Sequence, residues 1–276
     1  IISLANSARM KAKIKRRWPV TEMVICSFLQ NEVAAPSNNN TENYCNHYQV
    51  NTELTKNDIY EILKNQLNVQ SYKVIQIHTY NTMEKVLEMI NSNLPILPLI
   101  SIIRKRVAPQ VKSDIGRVMS EFEKLDKVEV LHTLKRTKMV HLIYDKSTSS
   151  FVDIHEQDLE ISFSVKDGYV YAEKDNLMIF MSTNRDQKLI TQGLVRDLAR
   201  NLQQLRKEKS YNPTEILSTA YIADLQKEEV CSLSLHRNDL TYLVRVKSVV
   251  LTEEKEEGIE YKKVEIDGRE INISIN

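Results

Sequence analysis

Glycine is scarce in this 276-residue chain, with five residues in all. That excludes GxGxxG and GxxxxGK[ST] loops, and with them a glycine-rich cradle for phosphates. Cysteine is rarer still: Cys26, Cys45 and Cys231 are odd in number and widely spaced. They argue against a disulfide framework and fit a reducing cytosol, so the expected location is cytoplasmic. Long apolar runs are missing too. The longest, Leu94 to Ile103, is interrupted by Pro95, Pro98 and Ser101 and is too short to span a bilayer, so no membrane segment is expected. The six histidines show no HExxH spacing. Cys45 and His47 are the one close Cys/His pair, and no second pair completes a tetrahedral site, so no metal site is assigned. The acidic clusters Glu228-Glu229 and Glu253 to Glu257 have no calcium-loop glycine beside them and read as solvated segments. No catalytic residue is assigned.

What is present is an asymmetry of charge. Arg9, Lys11, Lys13, Lys15, Arg16 and Arg17 carry six positive charges with no acid among residues 1–19, although the formal net charge is only +1. Such a cluster repels itself unless a polyanion is close, which favours a nucleic-acid contact; a nuclear signal has the same composition. Trp18, the chain's single tryptophan, stands next to Pro19 and reads as a packing anchor rather than a stacking platform.

Periodicity predicts an α+β chain. Ile1, Leu4, Ala5 and Ala8 fall at helical spacing without a cap, as in a helix already in progress, so the chain reads as a piece of a longer protein. A strand is expected over 22–29, then an Asn-rich flexible insertion over 31–52 that includes the sequon Asn39-Asn40-Thr41. Thr55 to Asp58 has the form of a capping box opening a helix through Asn65. Residues 53–135 alternate strand and helix as an α/β module, including an internal strand over 96–103 and one amphipathic helix over 109–125. Short strands near 139–144, 151–154, 159–165, 169–173 and 177–181 predict a small antiparallel sheet, with the long helix 186–209 packed on it in a domain spanning 136–225. That helix buries Leu189, Leu194, Leu198, Leu202 and Leu205. On its opposite face Arg196, Arg200, Gln203 and Lys207 form a polar stripe, either a binding surface or a solvated face compensated by Asp197 and Glu208. The tail, 226–276, contains Asp267-Gly268 between two apolar runs, a type I′ hairpin signal.

Four stretches carry a family resemblance: Asn6 to Arg9 continuing through Lys15 to Pro19; Ile62 to Val69 with Leu67-Asn68-Val69 at its centre; Val111 to Ile115; and Leu189 to Arg200 followed by Gln203 to Lys207. Together they resemble the region after the catalytic domain in class I isoleucyl-tRNA synthetases, most closely the archaeal and eukaryotic type. The last stretch is similar to the family's helix reading glycine, two residues, arginine-acid, then arginine, then leucine-arginine-lysine. The resemblance makes residues 1–30 the end of the anticodon-binding helical domain. It implies a parent that joins isoleucine to tRNA(Ile) using ATP and Mg, bound in a catalytic domain whose HIGH and KMSKS signatures are not in this sequence. No cofactor is implied for these residues. The job expected here is holding tRNA with Arg9, Lys11, Lys13, Lys15, Arg16, Arg17, Arg196, Arg200 and Lys207. A rival role is docking to other synthetases or scaffold proteins through the tail.

Overall fold

A computed structural model describes residues 1–28, 56–78, 81–145 and 147–276. The Asn-rich segment, its sequon, the Cys45/His47 pair and the Thr55 cap lie outside the described residues. The chain divides into two compact units. The first takes residues 1–12, 22–67 and 71–183, and the second takes 13–21, 68–70 and 184–276.

In the first unit, α1 (Ile2–Lys11), β1 (Val20–Phe28), α2 (Lys56–Leu67), β2 (Val69–Ile77), α3 (Thr82–Asn91) and β3 (Ile96–Ile102) follow the predicted alternation. The expected helix over 109–125 is broken instead. α4 (Arg104–Val111) already contains Pro109, and Lys112, at φ 50°, leaves the helical region before α5 (Ile115–Glu123) begins. A bulky residue at positive φ is costly and interrupts the ladder of backbone bonds. The apolar stripe survives the break, with Val111, Ile115, Val118 and Phe122 all buried.

α6 (Lys127–Thr137) is capped by Asp126, which accepts from the N–H groups of Val128 and Glu129. The strands β4 (Met139–Asp145), β5 (Ser150–His155), β6 (Leu159–Val165), β7 (Tyr169–Lys174) and β8 (Leu177–Ser182) fall where alternation placed them. They do not form one sheet. β4 pairs with β5, β6 returns to pair antiparallel with β3, and β7 and β8 join β1 and β2 in the order β2-β1-β8-β7. β3 is therefore not internal: it alternates, burying Ile96, Ile100 and Ile102 while exposing Leu97 and Leu99. One core spans all these pieces, with Met83, Leu87, Phe122, Leu131, Ile154 and Phe180 almost fully buried.

The second unit is built on α7 (Gln187–Glu208), whose five predicted leucines are all buried. Within this unit α7 packs against the elements that follow it in the chain and shares one core with them. β9 (Leu217–Ala223) runs parallel to β10 (Val246–Leu251), joined through α8 (Lys227–Ser234) and α9 (Arg237–Val244). β11 (Lys262–Ile266) and β12 (Arg269–Ile275) complete the sheet in the order β10-β9-β12-β11. The hairpin between them has Asp267 at φ 56° and Gly268 at φ 78°, the two positive values that a type I′ turn demands. Residues 226–276, expected as a separate tail, thus share a sheet with β9 and a core with α7.

Cys26, on β1, is fully buried, and burial pushes its thiol up to about 11 from an ordinary value of 9.0. The folded state keeps the proton where the unfolded state loses it, so stability holds below pH 9 and falls as pH rises from 9 to 11, by about 2–3 kcal/mol. Urea midpoints at pH 8 and pH 10.5 will show a smaller loss in Cys26→Ala than in the parent.

Candidate nucleic-acid interface

The basic stretch changes character once folded. Arg9 is not a surface cation: it is 2 % exposed, and its Nη2 donates to the carbonyl of Leu67 at 2.8 Å, the last residue of α2. Helix C-terminal carbonyls have no intrahelical donor, and an arginine there satisfies both the hydrogen bond and the dipole. Lys11 stays exposed, with Nζ donating to Tyr171 O at 3.0 Å and lying 5.0 Å from that ring's centre.

The other four cations belong to the second unit, and there two of them meet an acid. Asp197 of α7, whose side chain is 1 % exposed, accepts from Lys15 Nζ at 3.1 Å, from Arg17 Nε, and from Trp18 Nε1 at 2.9 Å. The premise that the stretch lacks an acid holds along the chain and fails in space. Trp18 is buried, and the anchor reading is right. Its ring lies over Gly193, where an added Cβ would come within 2.5 Å of the indole. That close approach is the reason for glycine inside a helix, where it otherwise costs about 1 kcal/mol. The guanidinium of Arg185 covers the indole, 4.6 Å from its centre.

Arg196, assigned to the polar stripe, is also engaged. Its Nη1 donates to Arg17 O at 2.9 Å and to the Asn68 side-chain oxygen, while Asn68 Nδ2 donates to Arg16 O at 3.1 Å. Asn68 sits at φ 52° just after α2, a helix-ending position that asparagine tolerates better than most residues. Burial lowers the Arg196 pKa, and burial together with the charge of Arg200 lowers that of Arg17. Gly193, Arg196, Asp197, Trp18 and Asn68 thus form one lock around residues 15–18.

Arg206 was missed by sequence reasoning. It is 5 % exposed and donates to four carbonyls, those of Val244, Arg245, Asn212 and Glu215, at 2.7–2.9 Å. The signal was available, since Arg206 lies four residues after Leu202 on the buried stripe. What remains exposed of the assigned residues in this unit is Lys13, Arg16, Arg200 and Lys207, with Arg196 exposed in part but bonded. Lys15 and Arg17 are about one-third exposed, at 38 % and 33 % for their side chains. The geometry can therefore present cations on a fixed backbone.

These features define an α+β module with a cationic face held by a buried carboxylate. No family model matches the chain. Curated relatives do: the whole chain is 21% identical over 279 residues to the isoleucine–tRNA ligase of Clostridium kluyveri, and 24% identical over 278 residues to that of Thermoplasma acidophilum. The enzyme of the same name from Archaeoglobus fulgidus is 25% identical over 227 residues, or 82% of the chain. Over its whole length the chain is similar to these isoleucine–tRNA ligases, and it spans about a fifth of their length. Among the described residues no helix is long and apolar enough to cross a membrane.

Replacing Gly193 by Ala should drive Trp18 from its site and destabilise the protein by about 1–3 kcal/mol. Asp197→Ala should cost about 3 kcal/mol or more, because it removes the buried carboxylate that the indole N–H and two cations share. Since Trp18 is the chain's one tryptophan, its emission maximum will shift to the red in both variants, and guanidinium titration will give the energies.

Proposed function

We propose that this chain is a non-catalytic, C-terminal, tRNA-positioning region of an isoleucine–tRNA ligase, a cytoplasmic enzyme that joins isoleucine to tRNA(Ile) with ATP. The observation that carries the reading is the lock at Asp197. It fixes the backbone of residues 15–18 against α7, so that Lys13, Arg16 and Arg200 are presented from rigid elements rather than from a loose arm. RNA helices are held largely through phosphates and 2′-hydroxyls, which calls for spaced cations in fixed positions more than for base-specific side chains. Asp197 carries one negative charge against the two cations bound to it, so the surroundings stay positive. Burial first, and the charge of Arg200 second, lower the pKa of Arg17.

Arg9, Lys15, Arg17 and Arg196 are structural in this reading, and Lys13, Arg16, Arg200 and Lys207 make the contacts. A second reading, docking to other synthetases or a scaffold, draws on Leu235, which is 85 % exposed between α8 and α9. Leu235→Ser would then abolish a stable complex without touching tRNA binding.

In the full-length protein, Lys13→Ala, Arg16→Ala and Arg200→Ala combined should weaken tRNA binding and flatten the plot of log affinity against log salt by about 2 units of slope. Filter binding at several salt concentrations reads this directly. An unchanged slope would remove the tRNA-positioning role.

A further inference from the structure

The second unit carries an aromatic side chain that its own packing does not use. Tyr242, near the end of α9, is 83 % exposed, although the flanking Leu240 and Val244 are fully buried. Beside it Leu243 and Ile216 are 38 % and 63 % exposed. These three residues line one cavity of about 670 Å³ with Gln203, Thr214 and Arg245 among its polar members, and no acid lines it. A smaller cavity of about 210 Å³ shares Gln203, Leu243 and Arg245 and adds Lys207 and Tyr211.

The polar groups are held in place. Gln203 Nε2 donates to Leu243 O at 2.7 Å, which leaves the amide oxygen of Gln203 as an acceptor. Arg245 Nη1 donates to Pro213 O at 3.2 Å, one of the five N–H groups of its guanidinium. Thr214 Oγ1 donates to Asn212 Oδ1 at 2.8 Å and keeps lone pairs to accept. Asp239, one turn before Tyr242 on α9, is bonded to His236 Nδ1 at 2.8 Å.

We infer that Tyr242 is a stacking platform for one unpaired RNA base, whose edge meets Gln203 and Arg245 and whose flanking phosphate meets Lys207. The inference rests on the tRNA-positioning reading and adds a site to it. Single-stranded RNA is recognised by stacking unpaired bases on aromatic rings, with hydrogen bonds to their edges and cations along the backbone. The cavity offers all three from one rigid unit. An apolar peptide would cover Ile216 and Leu243 but leave Arg245 and Lys207 without counter-charge, so charge complementarity favours a polyanion.

The test uses the full-length protein and tRNA(Ile) transcripts, intact or carrying an abasic site at each unpaired position in turn. Tyr242→Ala should weaken binding roughly 5- to 150-fold, the range for losing one base–aromatic stack, with the salt slope unchanged because no charge is removed. Tyr242→Phe should restore binding. One abasic position should weaken binding to the parent protein and have no further effect on Tyr242→Ala. If Tyr242→Ala binds every transcript as the parent does while the Lys13, Arg16 and Arg200 variants still flatten the salt slope, the stacking site is wrong and tRNA positioning stands. If neither set changes tRNA binding, both fail. If Tyr242→Ala leaves tRNA binding intact and instead dissociates a protein complex, the cavity is a protein-docking site and the inference is overturned. The side chain is exposed, so the substitution is not expected to disturb folding.

Discussion

The second unit depends on one buried carboxylate. Asp197 lies on the inward side of a helix otherwise lined by leucines, and burying it without partners would cost several kcal/mol. Lys15, Arg17 and the Trp18 indole supply those partners. The rest of the lock follows from that need. The indole must approach the helix closely, so position 193 is glycine. The turn at residues 15–18 must be held in place, so Arg196 reaches back to the carbonyl of Arg17. Asn68 then ties Arg16 from the other side. The lock also sorts the cations: Lys15 and Arg17, which face Asp197, hold the fold, while Lys13 and Arg16 face solvent.

Arg206 solves a related problem at the other end of α7. Four carbonyls from two loops need donors, and a guanidinium with N–H groups fixed in a plane can serve all four where a lysine could not. The loops so gathered include residues 212–215 and the end of α9, which border the cavity at Tyr242. A buried structural arginine thereby shapes a surface that is itself exposed. The cations of this chain consequently fall into two kinds, and composition alone treats them as one.

Much of the local structure was legible. The leucine stripe of α7, the alternation of β4 to β8 and the Asp267-Gly268 turn follow from periodicity and from backbone preferences, which are properties of neighbouring residues. The break at Lys112 was not legible, because nothing in the residue types there forbids a helix. The pairing of β6 with β3 and of β8 with β1 was not legible either. Alternation states that a strand has one buried face and is silent about which edge it will join. The packing of α7 on β11 and β12 belongs with these, since an apolar stripe does not name its partner.

For the site, the sequence by itself determined the inventory: six cations near the start, a stripe of arginines and a lysine on the long helix, one tryptophan, and motifs similar to those of isoleucyl-tRNA synthetases. Only the tertiary structure decided their roles. Asp197 lies about 180 residues from Lys15 and Arg17 along the chain yet within bonding distance of both. Local charge counting along the sequence does not register an acid brought in from that far away. Electrostatic pairing depends on separation in space, and folding, not chain order, sets that separation.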